Sequence, residues 1–138
     1  MKEAPKTIKY GRIFRLKLKN NIRLRYLTLK NYRIGLKALE YGWLDSVQLN
    51  SVIRLLKIFL TKKVKIKINC SLFIPITKKP LEMRMGSGKA ERKFWKCPVT
   101  KGMIILELDN ISNEQAKFVL NTMGHRFPFK TFLVNIVY

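Results

Sequence analysis

Residues 78–90 read KKPLEMRMGSGKA and lie between two apolar runs that are typical of β-strands. The stretch contains a proline, two glycines one residue apart and four basic side chains, so it cannot be part of a core. Glycine permits backbone torsions that other residues avoid, and it lets a partner approach the main chain closely. A cationic, glycine-containing loop held between strands is therefore a candidate binding segment for a polyanion backbone.

The charge of the whole chain supports a polyanionic partner. Its 138 residues indicate one domain, and an apolar share of 47% indicates that the chain folds. The chain has 29 Lys and Arg residues but 8 acidic residues, which gives a formal net charge of +21. Nucleic acid is the leading partner class, with an anionic membrane surface second. No apolar run approaches the roughly 20 residues of a spanning helix, and the basic N-terminus does not resemble a secretory signal.

The metal-binding inventory of the chain is small. Cys70 and Cys97 are not part of a CxxC pair, and His125 is the single histidine, with no role predicted for it. Four good zinc ligands cannot be assembled from this set, so we predict no metal site and no cofactor. We expect two reduced, partly buried thiols, and the spacing leaves a disulfide between them open.

The N-terminal third is predicted to be a basic arm, residues 1–33. Apolar and basic residues alternate from residue 14 to 19 and again from 22 to 26, on either side of Asn20-Asn21. This period-2 pattern predicts a β-hairpin, and an arm that orders only on RNA is the alternative. One face would carry Arg15, Lys17, Lys19, Arg23 and Arg25, and these five residues together with Arg12 are predicted to contact RNA.

The middle of the chain alternates strand and helix patterns. Residues 32–44 read as a strand with glycine breaks, and Asp45 with Gln48 resembles a capping box at the start of a helix. Its apolar stripe has helical spacing: Leu49, Val52, Ile53, Leu56 and Leu60. Residues 64–69 alternate as a half-buried strand with a basic outer face. Pro75 indicates that the following run, 72–76, ends a strand or lies at a sheet edge.

The last third predicts two strands, a helix and a strand. Residues 94–99 and 103–108, joined by a turn at 100–102, suggest a hairpin with the glycine-lysine loop at its base. Ser112 and Gln115 would cap a second helix ending at Gly124, with a buried stripe of Ala116, Val119, Leu120 and Met123. Residues 131–138 read as a buried closing strand. The predicted fold class is α+β, two helices packed on a mixed or antiparallel sheet.

Further basic residues are predicted to contact RNA from the folded part of the chain. Lys62 and Lys63 follow the first helix, where stabilisation by the helix dipole is an equally good explanation. Aromatic patterns of single-strand readers and a GXXG loop are absent, which favours recognition of structured RNA by shape and backbone. The full set is Lys37, Arg54, Lys57, Lys62, Lys63, Lys65, Lys67, Lys78, Lys79, Arg92 and Lys93.

Two other function classes are weaker. A nucleotide-using or RNA-modifying enzyme with a GSGK loop is disfavoured, because Met83 stands where a Walker loop needs glycine and Ala90 where it needs Ser or Thr. No paired carboxylates suggest acid/base catalysis. A basic membrane-surface protein is disfavoured because neither helix combines an apolar face with a strongly cationic one.

Residues 75–89, PITKKPLEMRMGSGK, resemble the signature of the universal large-subunit ribosomal protein L16 family, roughly P-I-T-x-K-P-x-E-V-R-M-G-K-G-K-G. An aromatic pair follows the signature, matched here by Phe94-Trp95. Collinear matches occur in GLKAL at 35–39, GWL at 42–44, IILELDNI at 104–111 and KTFLV at 130–134. The resemblance covers residues 34–135, so we place the L16-like α+β domain at 34–138.

This resemblance implies an L16/L10e-like fold and a structural constituent of the large ribosomal subunit. It implies contacts with large-subunit rRNA near the A site and the central protuberance, with neighbouring ribosomal proteins, and with tRNA. It implies neither membrane association nor homo-oligomerisation. The residues that match the family's tRNA-proximal loop are Arg84, Met85, Gly86, Ser87, Gly88 and Lys89.

Two departures from the family pattern lie in this loop. Ser87 replaces a usual Lys, and Ala90 replaces a usual Gly, so the loop has one positive charge fewer and is slightly stiffer. The arm does not match the bacterial pattern. Together with the Lys-, Ile- and Asn-rich composition and the lack of a presequence, this divergence suggests a mitochondrial member, with a plastid or bacterial origin as the alternative.

Overall fold

The computed structural model describes residues 27–86 and 88–135, together with Ile13. The hairpin predicted over residues 14–26 therefore lies outside the described residues, and the arm predicted over residues 1–33 is described only at Ile13 and at 27–33. The described part contains two helices and seven strands: β1 (Ile34–Ala38), β2 (Gly42–Asp45), α1 (Ser46–Phe59), β3 (Lys65–Ile68), β4 (Ile74–Thr77), β5 (Arg92–Val99), β6 (Ile104–Asp109), α2 (Asn113–Gly124) and β7 (Thr131–Asn135).

The strands form two antiparallel sheets. One has four strands in the order β3-β6-β1-β7, and the other has three in the order β2-β5-β4. The α+β class is confirmed, but the expectation of one sheet system is wrong. The strand predicted over residues 32–44 is two strands, β1 in the first sheet and β2 in the second.

The predicted hairpin of β5 and β6 is also wrong. The turn at Lys101-Gly102 is present, but it connects strands of different sheets. β5 already has β2 and β4 as neighbours, and β6 has β3 and β1. Because both edges of each strand are occupied, the two strands cannot pair with each other. The short connection between β5 and β6 is therefore the point at which the chain passes from one sheet to the other.

β7 is an edge strand rather than a buried closing strand. It pairs only with β1 in the described sheet, and Phe132 on it is 59% exposed. A β-branched and aromatic composition suits any pleated surface, so it does not distinguish an edge strand from a central one. The Pro75 prediction, by contrast, is confirmed, because β4 lies at the edge of the three-stranded sheet.

Both helices bury the apolar stripes expected from their spacing. Leu49, Val52 and Leu56 of α1 are buried, with Ile53 and Leu60 packed partly buried against them. The stripe of α2 is buried in full: Ala116, Val119, Leu120 and Met123. These residues join side chains of both sheets in one core. None of the helices in the described part of the chain is long and apolar enough to cross a bilayer.

The first turns of both helices have the predicted caps. The Gln48 side-chain oxygen accepts a hydrogen bond from the Asp45 N–H at 3.1 Å. The Ser112 hydroxyl accepts one from the Gln115 N–H at 3.4 Å. Each bond satisfies a backbone donor that the helix itself leaves unpaired.

Replacing Ser112 with alanine is expected to lower the free energy of unfolding by about 1 kcal/mol, because the Gln115 N–H loses its acceptor. Urea unfolding followed by circular dichroism measures the change. Thr122→Ala in the same helix is the control, since its hydroxyl bonds to the Phe118 carbonyl, which the helix also uses. Equal losses in the two variants would contradict a capping role for Ser112.

Residues 27–33 lie against the four-stranded sheet. A Cβ atom at Gly35 would lie 2.5 Å from the Cδ2 atom of Leu29, so glycine in β1 leaves the space that this leucine occupies. Leu27 similarly lies close to Gly102. The last part of the predicted arm is thus in contact with the folded domain.

Candidate nucleic-acid interface

The glycine-lysine loop connects β4 to β5. These strands pair antiparallel, with Pro75 opposite Trp95 and Ile76 opposite Phe94. A further hydrogen bond joins the Lys78 N–H to the Glu91 carbonyl at 3.1 Å. Residues 78–91 therefore form the end of a β4–β5 hairpin, not the base of the predicted β5–β6 hairpin. The loop is strongly exposed: Leu81 is 97% and Met85 fully accessible.

The two loop glycines have left-handed torsions. Gly86 has φ of 93° and Gly88 of 76°, and the Gly88 N–H donates to the Gly86 carbonyl at 2.8 Å. A Cβ atom at either position would meet nothing within 4 Å. Glycine is thus favoured here by backbone torsion and not by crowding. The open surroundings also leave the main chain accessible to a partner. Ser87 between them lies outside the described residues.

Predicted RNA-contacting cations concentrate on this hairpin. Arg84 and Lys89 are exposed in the loop, and the β4–β5 pairing brings the segments before and after the loop together. The Arg92 guanidinium lies over the Trp95 ring, 4.9 Å from its centroid. The six side chains, which we call the hairpin cations, are exposed or half-buried: Lys78, Lys79, Arg84, Lys89, Arg92 and Lys93.

A second set of predicted RNA contacts lies on α1, on the loop after it and on β3. On β3 the lysines are exposed while Ile66 and Ile68 are half-buried, which confirms the basic outer face of this strand. Because these residues lie on consecutive elements, they form one continuous basic segment. All six of these α1–β3 cations are exposed: Arg54, Lys57, Lys62, Lys63, Lys65 and Lys67.

Among the remaining predicted contacts, Lys37 lies within the described residues and belongs to neither set. Lys37 is half-buried on β1, opposite Phe132 of β7. Those in the N-terminal arm lie outside the described residues: Arg12, Arg15, Lys17, Lys19, Arg23 and Arg25. Ion pairs in the described part include Lys96 with Asp45 at 2.8 Å and Lys130 with Glu40 at 3.7 Å. Neither pair involves a residue predicted to bind RNA.

A buried carboxylate anchors the segment beside this surface. Glu107 is fully buried in β6, opposite Lys67 of β3 and Gly35 of β1. Its carboxylate accepts hydrogen bonds from the N–H groups of Asn31 and Tyr32 at 2.9 and 3.1 Å, and from the Asn69 side chain at 2.7 Å.

The same hydrogen bonds decide the charge of Glu107. Burial raises the pKa of the carboxyl group, but the hydrogen bonds from Asn69, Asn31 and Tyr32 outweigh burial. The pKa of Glu107 therefore lies below its ordinary value of 4.5. The Lys67 ammonium donates to the Asn31 side chain at 2.7 Å, so one α1–β3 cation also helps to hold the residues before β1.

The sequence analysis looked for paired carboxylates only as catalysts, and it missed the anchoring role of Glu107. One signal was available. Ile104, Leu106 and Leu108 alternate on one face of β6, which places Glu107 on the other face, where a covering segment could bury it.

Cys70 and Cys97 are buried, and no disulfide joins them. A hydrogen bond with Cys97 and burial raise the pKa of the Cys70 thiol well above its ordinary value. Both thiols are more deeply buried than the predicted partly buried state. A protonated, inaccessible thiol is a poor nucleophile, so neither cysteine adds chemistry to the interface.

The fold and the surface define a basic α+β domain with an exposed cationic hairpin. A family model described as ribosomal protein L16p/L10e matches residues 4–134. The match begins earlier than the resemblance at 34–135, and so includes most of the arm.

Individual relatives agree with the family model. The chain is 33% identical over 127 residues to large ribosomal subunit protein uL16c of Euglena longa, covering 92% of this chain and 93% of that protein. It is 38% identical over 102 residues to protein uL16 of Psychrobacter arcticus and of Psychrobacter cryohalolentis, covering 74% of each chain. The chain belongs to the ribosomal protein L16p/L10e family. It is thus one of the structural proteins of the large ribosomal subunit and not an enzyme.

Proposed function

We propose that this protein binds large-subunit rRNA through the hairpin cations and the α1–β3 cations, and that its loop reaches the tRNA near the A site. The observation that carries the proposal is the concentration of cations and left-handed glycines on one exposed hairpin. Backbone amides and flexible cationic side chains together suit phosphate groups. The basic arm adds charge to the same task.

Electrostatics supports a nucleic-acid partner of considerable size. A chain of net charge +21 repels itself, and phosphate neutralisation relieves that repulsion. The exposed lysines of α1 and β3 lie on regular elements, which hold them at fixed spacing against a structured RNA. Recognition through phosphates and shape follows from this arrangement.

The position of the loop at the tRNA follows from its match to the family signature. Arg84, Gly86, Gly88 and Lys89 match the family loop residue by residue, while Ser87 and Ala90 do not. The loop is therefore proposed to contact tRNA with one charge fewer than is usual in the family. The two-part organisation, an arm at 1–33 and a domain at 34–138, belongs to the same proposal.

The proposed location is the ribosome of a mitochondrion, with a plastid or bacterial ribosome as the alternative. Composition and the divergence of the arm favour the organelle. Neighbouring large-subunit proteins complete the set of partners, and we propose neither a homo-oligomer nor a membrane-bound form.

Large subunits lacking this protein provide the direct test. The purified chain is expected to co-sediment with them at moderate salt and to dissociate progressively as salt rises. The logarithm of the association constant should fall with the logarithm of salt concentration by about 0.9 per phosphate contact. Failure to co-sediment, or binding independent of salt, would contradict the proposal. A titration with ATP and GTP tests the enzyme alternative, and saturable binding would support it.

A further inference from the structure

An exposed aromatic cavity lies between the C-terminal end of α1 and the start of α2. Its volume is about 410 Å³. Phe59 and Phe118 line it in an edge-to-face arrangement, with ring centroids 6.2 Å apart and an interplanar angle of 83°. Phe118 is 65% and Phe59 46% exposed. The two rings adjoin each other, and contiguous exposed apolar surface can mark a binding site.

The rest of the lining is partly polar. Asn110, Glu114 and Gln115 contribute amide and carboxylate groups, and Leu60 and Val64 contribute apolar surface. Asn110 has a left-handed φ of 59°, which places it on a sharp turn between β6 and α2. The cavity therefore combines ring faces with hydrogen-bonding groups.

Three lysines are next in sequence to residues that line this cavity. Lys62 and Lys63 stand between the lining residues Thr61 and Val64, and Lys117 precedes Phe118. All three lysines are exposed. An apolar protein segment would use the rings but leave this charge uncompensated. An unstacked nucleotide uses all three features, because its base stacks on a ring, its edge bonds to amides and its phosphates meet lysines.

We propose that this cavity holds one unpaired nucleotide of the large-subunit rRNA, with its base stacked on Phe118. The inference rests on the proposed function and adds a base-binding site to a surface that otherwise contacts phosphates. Asn110 and Gln115 face the base edge, and Lys62, Lys63 and Lys117 hold the adjoining phosphates. The sequence analysis did not name Phe118, and it named Gln115 only as a helix-capping residue.

The test compares Phe118→Leu and Phe118→Tyr in the full chain bound to large subunits. Leucine keeps apolar bulk but removes the ring face, so affinity is expected to fall roughly 5-fold or more with the salt slope unchanged. Tyrosine should bind as the wild type does. Phe132→Leu is the matched control, since Phe132 is exposed to a similar degree on β7. Lys62→Gln should instead lower the salt slope by about 1.

Chemical probing with dimethyl sulfate for base nitrogens, and with a 2′-hydroxyl acylating reagent for the backbone, identifies the nucleotide. The wild type should protect one unpaired adenine or cytosine, or should shift the backbone reactivity at one unpaired guanine or uracil. With Phe118→Leu, and with no other variant, that nucleotide should return to the reactivity it has in subunits lacking the protein. The proposal would be overturned if the Phe118→Leu variant bound large subunits as tightly as the wild type. It would also be overturned if a benzophenone side chain at position 118 crosslinked to a protein or to a second copy of the chain. If those results come with normal binding of the wild type, the proposed function stands and only the base site is lost. A wild type that does not bind the subunit overturns both.

Discussion

Replacing Glu107 with alanine is expected to lower the free energy of unfolding by on the order of 3–5 kcal/mol, because it leaves several donors unpaired. The carboxylate accepts from two backbone N–H groups, at Asn31 and Tyr32, and from the side chain of Asn69. Urea unfolding gives the global loss. Hydrogen exchange at Asn31 and Tyr32 should rise most, since these amides lose their acceptor directly.

Glu107→Gln separates charge from shape. Glutamine keeps one oxygen but directs an NH₂ group at a donor, so a loss of about 1–3 kcal/mol is expected. Asp109→Asn is the control, because it removes a carboxylate from the same strand at a half-buried position. A loss at Asp109 as large as that at Glu107 would show that net charge, and not the hydrogen-bonded network, sets the effect.

The pH dependence of the Glu107 contribution has a definite sign. The pKa of Glu107 is lower in the folded protein than its ordinary value of 4.5, so the folded state binds the proton less readily than the unfolded state. The contribution is therefore fully present above pH 4.5 and is lost as pH falls through the lower, folded pKa. The stability difference between wild type and Glu107→Gln should shrink below pH 4.5. A difference that stays constant down to pH 3 would contradict this assignment.

The helices could be predicted because their signals are local. Ala116, Val119, Leu120 and Met123 fall on one face within a single helix, and Ser112 caps that helix through a residue three positions away. A helix is specified by contacts three and four residues apart, so a single sequence contains nearly all of the relevant information. The strands β3 and β4 were found for a similar reason, since alternation and Pro75 are also local.

The division into two sheets could not be predicted from the same signals. β1 and β2 are separated by three residues, yet β1 pairs with β6, about seventy residues further along the chain, and β2 pairs with β5, about fifty-five residues further along. Strand pairing depends on which edges remain free after the whole chain has folded. The mistaken β5–β6 hairpin followed from assuming that neighbours in sequence pair, which holds often but not for a turn that crosses between sheets.

The candidate site divides in the same way. The hairpin cations and loop glycines were predicted, because a loop between two strands exposes whatever it contains. Glu107 and the Phe59–Phe118 cavity were not, because each depends on residues far apart in sequence. Phe118 lies on the polar side of α2 in the sequence pattern, and only the approach of the α1 end makes that position part of a cavity.

Neutralising the loop is expected to have the largest effect on function. The triple variant Lys78→Gln, Arg84→Gln, Lys89→Gln removes three exposed charges at the end of the β4–β5 hairpin. If each contacts a phosphate, the salt slope for large-subunit binding should fall by about 2–3. The melting temperature should stay the same or rise slightly, because self-repulsion decreases.

A matched control makes this result specific. The variant Lys101→Gln, Arg126→Gln, Lys130→Gln also removes two lysines and one arginine, but from exposed positions that are not predicted to bind RNA. It should change the salt slope little. Equal effects from the two triple variants would show that net charge alone drives binding and that the hairpin has no special position.

Arg84→Ala alone tests the proposed reach to tRNA. Subunits carrying this variant should assemble but accept aminoacyl-tRNA more slowly, because one contact to tRNA is lost while the α1–β3 cations still hold the rRNA. Pre-steady-state tRNA binding measures the rate, and sedimentation profiles measure assembly. A large drop in melting temperature with translation unaffected would assign Arg84 to folding instead.

Ser87→Lys tests the converse, since restoring the charge that the family usually has at this position should strengthen tRNA binding without altering stability.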